Sequence, residues 1–262
     1  MPIELTAKKA AQLEKVGQLA SSLGVEVLAH FYQRAEVKAA AHFVGGSSEV
    51  AERAAQSRAR AVMVCGACFM AEEILNRNIG RPLLQPREDL SCPLAEAVSL
   101  EEVLAIKKLN PEAVVVADMK ARPEILALAE VKISPATAAE ILDGLGSREV
   151  IALPGPQLVE WAGFGHLISA RWPKAVCQVH ELALKDDLAK AREEHPEAKV
   201  AVNLLCRPEV RAGADFVGDS AAIRNYCREA NARECIVVSE AGLAEYLPDT
   251  LPDKLFHAHE QE

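Results

Sequence analysis

Three similar small α/β domains with parallel sheets, grouped about a pseudo-threefold axis, are the fold this 262-residue sequence predicts. The first reason is a recurring strand-like run. Val27-Leu28-Ala29-His30 returns as Val114-Val115-Val116-Ala117 and as Val200-Ala201-Val202-Asn203, which spaces His30, Ala117 and Asn203 by 87 and 86 residues. The second is a recurring hydroxyl, since Ser47, Ser134 and Ser220 repeat at the same two intervals. The third is a gapless self-match in which FVGGSSEVAERAAQSRARAVMVCGACFMAEEI from Phe43 runs against FVGDSAAIRNYCREANARECIVVSEAGLAEYL from Phe216. A period this long exceeds the roughly 20–50 residues of solenoid repeats, so each unit should hold a core of its own.

Taken in order, residues 5–22 read as an amphipathic helix with Leu5, Ala10, Leu13, Val16 and Leu19 on one stripe. Strand Glu26–Ala29 follows, then a helix over 36–41 and an extended pair at Phe43-Val44. Gly45-Gly46-Ser47-Ser48 opens the next helix with small residues and a hydroxyl cap, a terminus whose free N–H groups suit phosphate or carboxylate. Strand 60–66, helix 69–76, strand 81–84, a loop at Cys92 and helix 94–98 complete the first unit, set at residues 1–98.

The second unit, 99–183, repeats the plan with helix 100–109, strand 113–117, helix 123–128, strand 131–133, helix 135–142, strand 150–153 and a cysteine loop at Cys177. The third, 184–262, has helix 184–195, strand 199–203, helices 209–212 and 221–230, strand 235–238 and a short helix at 243–247. Strands alternating with helices predict parallel sheets, which bind ligands beyond the carboxyl ends of their strands. His30, Ala117 and Asn203 should therefore meet the starts at Ser47, Ser134 and Ser220 around one pocket.

Half the residues are hydrophobic and 26% are charged, as in an ordinary globular protein, and the net charge is −9 without a basic cluster. That balance argues against nucleic acid as a partner. No apolar run reaches the roughly 20 residues of a membrane span, and the charged N-terminus lacks a secretory pattern, so we expect a cytoplasmic chain without a membrane partner. Its seven cysteines, odd in number, suit buried positions or metal ligands better than disulfides. Cys227 and Cys235 fall in a helix and an apolar strand and read as structural. Cys92 and Cys177 lie 85 residues apart and hold the same place in successive units, whereas one more period arrives at Glu262.

The motifs AHFYQRAEV, FVGGS, CGACFMAEE, Ser91 through Glu96, and Cys177-Gln178-Val179-His180-Glu181, with Arg207 through Ser220, resemble quinolinate synthase, the A protein of NAD biosynthesis. The resemblance runs from about residue 20 to 256. It implies three α/β domains around a four-iron four-sulfur (4Fe-4S) cluster with one cysteine per domain. It also implies condensation of iminoaspartate with dihydroxyacetone phosphate and dehydration to quinolinate, with the open iron as Lewis acid. Carried over by motif, His30, Tyr32 and His180 would be catalytic, while Ser47, Ser134, Asn203 and Ser220 would bind a small anionic substrate. Cys92 and Cys177 would be cluster ligands.

Several positions depart from the family pattern. Its Tyr-Val-Asn is Ala117-Asp118-Met119 here, its His-Pro-Glu-Cys is Asn203-Leu204-Leu205-Cys206, and its third cysteine has no counterpart in the sequence. Cys68, where a histidine is usual, or Cys206 would supply the third ligand. These departures keep open a relative with an altered cluster or none, which binds a small anionic metabolite or has a different lyase activity.

Overall fold

Short runs of valine and alanine form the central strand of each sheet, because both faces of a parallel sheet are covered by helices and must be apolar. In this computed structural model the described residues are 7–87, 90–135, 137–168, 172, 175–183 and 185–258. The first unit runs α1 (Ala7–Leu23), β1 (Val25–His30), α2 (Ala35–Ala39), β2 (Phe43–Gly45), α3 (Ser47–Gln56), β3 (Ala61–Cys65), α4 (Cys68–Asn76) and β4 (Leu83–Leu84). After a 3-10 turn at Ala95–Ala97 come α5 (Leu100–Leu109), β5 (Val114–Asp118), α6 (Pro123–Leu128), β6 (Val131–Ile133), α7 (Ala138–Asp143), β7 (Val150–Leu153), α8 (Gln157–Trp161) and α9 (Gln178–Glu181). The last unit is α10 (Lys185–Glu194), β8 (Lys199–Asn203), α11 (Pro208–Arg211), β9 (Phe216–Gly218), α12 (Ser220–Glu229), β10 (Glu234–Val238), α13 (Ala241–Thr250) and β11 (Leu255–Ala258). Strands order as β2-β1-β3-β4, β6-β5-β7 and β11-β10-β8-β9, every pair parallel. No described helix is long and apolar enough to cross a membrane.

The first helix presents a different face from the one its periodicity predicts. Ala20 packs with Val27, Ala29 and Cys65, whereas Val16 and Leu19 are 47% and 59% exposed. The tight turn at Gly24, with φ +67°, fixes which face meets the sheet, and the small Ala20 side chain permits close approach. Leu5 and the Ala10 side chain lie outside the described residues.

One turn is built three times at the strand tips. His30 pairs with Gly45, Asp118 with Ile133 and Asn203 with Gly218, so the true counterpart of His30 in the middle sheet is Asp118 rather than Ala117. Matching apolar residues along the sequence cannot detect a one-residue slip, although such a slip moves every side chain to the opposite face. In each tip the next N–H donates to the neighbouring strand: Phe31 to Gly45 O, Met119 to Ile133 O and Leu204 to Gly218 O, at 3.1, 2.9 and 2.9 Å. The N–H after that turns back to the tip side chain, from Tyr32 to His30 Nδ1 at 3.3 Å, Lys120 to Asp118 Oδ1 at 3.0 Å and Leu205 to Asn203 Oδ1 at 3.0 Å. Three different side chains thus perform the same capping task.

The residue just past the tip reaches into another unit. Phe31, fully buried, packs with Ala201 and Val237 of the third sheet and with Ile223, Leu243 and Leu247 of the helices that cover it. Leu204 in turn is buried with Val114, Val116 and Ile133 of the middle sheet. The first and third units are further held by the Arg224 to Glu49 ion pair at 2.6 Å, with the Arg224 guanidinium 5.4 Å from the centre of the Phe31 ring. Gly242 sits so close to the first tip that a Cβ there would lie 2.7 Å from Tyr32 Cα. Burying an aromatic ring in a neighbouring core makes that ring a major stabilising contact. Phe31→Ala should lose about 3–5 kcal/mol in urea unfolding, whereas Leu19→Ser on the exposed helix face should change stability by no more than about 0.5 kcal/mol.

Candidate active site

The strand tips and the loops beside them enclose a cavity of about 740 Å³. Its lining includes His30, Tyr32, Ser47, Cys92, Ser134, Cys177, His180, Asn203 and Ser220, nine of the eleven candidates singled out from sequence, with Cys68 and Cys206 the exceptions. Cys68 opens α4 and is outside that lining. Cys206 is buried against the third core, where burial pushes its thiol up to about 12. Cys227 and Cys235 are fully buried in the same unit.

Each hydroxyl expected at a helix start takes its own position. Ser47 is the first residue of α3, whose cap is Gly46; the Gly46 N–H donates to Glu49 Oε2 at 2.9 Å. The cap residue has no side chain to accept the first helical amides; the Glu49 carboxylate instead holds the N–H of the cap residue itself, and Ser47 lines the cavity. Ser220 opens α12 behind Asp219, which accepts from the Ala222 N–H at 2.8 Å. Ser134 precedes α7 by a turn in which its N–H donates to Thr137 Oγ1 at 3.1 Å.

The two cavity cysteines begin equivalent helical turns: Glu96 N–H donates to Cys92 O and Glu181 N–H to Cys177 O, both at 3.0 Å. Their thiols also receive backbone N–H groups, from Leu94 and Ala95 and from Val179 and His180, an arrangement that favours thiolate. Burial still dominates at Cys92 and raises its pKa. At Cys177 burial acts the same way, but His180 Nδ1 at 3.1 Å outweighs it and the pKa falls below the ordinary thiol value.

His180 and Glu240 form the charged centre of the site. Burial would neutralise His180, yet Cys177 and then Glu240, at 3.6 Å from Nε2, raise its pKa to about 9. Burial likewise opposes the Glu240 charge, and His180 overcomes it to bring that pKa to about 2. Ser220 Oγ and Ser239 Oγ donate to the two Glu240 oxygens at 2.7 and 2.5 Å, and Asn203 Nδ2 donates to Ser239 Oγ at 3.3 Å. The pair is therefore imidazolium and carboxylate at neutral pH.

His30 is the opposite case. Burial lowers its pKa to about 4, and because Nδ1 accepts the Tyr32 N–H, the neutral ring carries its proton on Nε2. Tyr32 stays a phenol, its pKa raised chiefly by burial, and its oxygen accepts the Ala67 N–H at 2.5 Å. Opposite stands Lys120, whose Nζ is 4.0 Å from Asp118 Oδ2. Burial works against that ammonium, but Asp118, Asp219, Cys92 and Cys177 together raise its pKa.

Sequence reasoning missed Asp118, Lys120 and Glu240. Glu240 had a signal, since the self-match aligns it with Ala67 beyond a strand end, and Asp118 becomes visible only once the register is known. A three-thiolate iron–sulfur ligand set is not completed by the described residues: two thiols line the cavity, and a lysine cation interacts with both.

Comparison with known proteins matches residues 14–262 to the family model described as Quinolinate synthetase A protein. The quinolinate synthase of Aquifex aeolicus is 32% identical over 259 residues, covering 96% of this chain and 79% of its own length. Those of Methanosarcina barkeri and Thermodesulfovibrio yellowstonii are 30% and 32% identical, with 95% and 94% of this chain and 82% and 81% of theirs aligned. Matched along nearly its whole length by both the family model and these relatives, the chain belongs to the quinolinate synthetase A protein family.

Proposed function

We propose that this chain is an enzyme of the quinolinate synthase type in NAD biosynthesis. Its cavity would condense a small dicarboxylic imine of the iminoaspartate class with a phosphorylated triose of the dihydroxyacetone phosphate class, with loss of phosphate and water. The observation that carries the reading is the meeting, in one cavity, of a neutral imidazole at His30, an imidazolium at His180 and an ammonium at Lys120. Lys120 would attract the phosphate or a carboxylate. His30 Nε2–H would donate to a substrate carbonyl without transferring its proton, as a neutral ring does best. His180, its charge held by Glu240, would protonate a departing hydroxyl, and Glu240 would remain ionised throughout.

A second reading is favoured by Lys120, which interacts with both cavity thiols: a cluster-free relative that binds a small anionic metabolite. Anaerobic loading with iron and sulfide separates the two. About four irons per chain, lost in Cys92→Ser and in Cys177→Ser, would support a cluster enzyme, and less than one iron would support the second reading.

Activity is tested by quinolinate formation from iminoaspartate and dihydroxyacetone phosphate. Lys120→Met should lower kcat/KM by about 30-fold or more, mainly through KM, because a desolvated charge partner of the anion is removed. A wild-type chain that neither forms quinolinate nor binds either substrate would overturn the reading.

The His30 assignment also predicts a pH dependence. Since its folded pKa lies below the unfolded value of 6.5, the unfolded chain takes up the extra proton. Its stabilising contribution is complete above pH 6.5 and is lost as pH falls toward about 4, by roughly 3 kcal/mol at most. His30→Asn, which keeps an acceptor for the Tyr32 N–H as Asn203 does for Leu205, should remove that loss in chemical unfolding measured across this range.

A further inference from the structure

The N-terminal ends of the third sheet, away from the cavity, gather a second set of metal-type donors. His195 follows the last turn of α10, Glu234 is the first residue of β10 and His257 lies within β11. Glu234 Oε2 is 3.3 Å from His195 Nδ1 and 3.0 Å from His257 Nε2. The two imidazoles are stacked, with centroids 3.4 Å apart and planes 18° from parallel, and the three donor atoms all fall within 4.8 Å of one another.

These distances are informative. Around a tetrahedral ion with bonds near 2.0–2.1 Å, neighbouring donor atoms stand roughly 3.3 Å apart; the two Glu234-to-histidine distances match that spacing, and the third pair lies within 4.8 Å, so a small rotation of the rings brings all three donors onto one ion. Two borderline imidazole nitrogens beside one hard carboxylate oxygen suit zinc-class divalent ions rather than calcium or magnesium, which take all-oxygen sets. Each side chain is about one-third exposed, which gives an ion access and leaves the fourth corner open to water. Nothing about the spacing is imposed by local sequence, because the donors come from three separate elements.

We propose that His195, Glu234 and His257 form a binding site for a divalent transition-metal ion of the zinc class, which ties the C-terminal strand β11 to β10 and to the end of α10. The ion displaces a proton from any ring nitrogen that carries one at its donor position, and no redox step is involved. The site is independent of the proposed reaction, since it involves none of the residues lining the cavity.

The test uses the full chain carrying Cys92→Ser and Cys177→Ser, so that the cavity thiols do not take the metal. After chelator treatment and dialysis, it is titrated with Zn2+ by calorimetry and with Co2+ by visible spectroscopy. We expect one Zn2+ per chain, a d–d band of tetrahedral Co2+ without thiolate charge transfer, and a higher Tm at saturation. Glu234→Gln preserves hydrogen bonding to both rings and should keep the fold by circular dichroism. It should nevertheless weaken Zn2+ binding by more than about 100-fold, beyond the 10–100-fold typical of losing an outer-shell partner. His257→Ala should do the same and abolish the Tm increase. No Zn2+ binding at micromolar concentration, or equal binding by the parent and both variants, would overturn the proposal.

Discussion

The architecture depends on side chains that are planted in a core other than their own. Phe31 leaves the tip of β1 and is buried with the third sheet, and Leu204 leaves the tip of β8 and is buried with the middle one. Each of these residues immediately follows a side chain that faces the cavity. Core burial of the one therefore fixes the position of the other within a single peptide unit. Because apolar burial is the dominant favourable term in folding, the cavity takes its geometry from the same contacts that hold the units together. At the third tip the pattern changes: Met119 is partly buried and lines the cavity. The middle sheet thus contributes a thioether, a carboxylate and an ammonium to the site from consecutive positions.

The electrostatics follow from how each buried group is partnered. At His30 burial outweighs the pull of Glu240, and Lys120 works in the same direction as burial, so the ring stays neutral. His180 has a thiol on one nitrogen and a carboxylate on the other, and those partners reverse the effect of the same burial. Two histidines in one cavity therefore differ in charge at neutral pH for reasons that can be read directly from their neighbours. Such divergence between titratable groups is what acid–base chemistry at a single site requires.

Much of this was legible in the sequence because the repeat constrains it. The strands, their parallel pairing and the gathering of His30, Asn203 and the repeated serines follow from a period that places equivalent residues at equivalent strand ends. The short β9 and β11 and the short helices α8 and α9 were not foreseen, since three to five residues carry too little periodicity to separate strand, helix and turn. Asp118 was missed because the middle strand extends one residue further than the apolar match suggests. Lys120 was missed because its importance lies in tertiary charges from Asp219, Cys92 and Cys177, none of which is near it in sequence. The face of α1 was misread because hydrophobicity favoured Val16 and Leu19, while close packing selected the smaller Ala20.

Gly242 shows how far such constraints extend. Its missing Cβ leaves room for the backbone of Tyr32, and its carbonyl accepts the Lys38 ammonium at 2.6 Å. A phenol in the first unit is thus kept in place by an atom that a distant helix lacks. Any side chain at this position would have to push back the Phe31–Tyr32 backbone, although the residue itself has no group with which to react. Anyone transplanting this pocket onto another scaffold would need to carry that empty volume along with the visible chemistry.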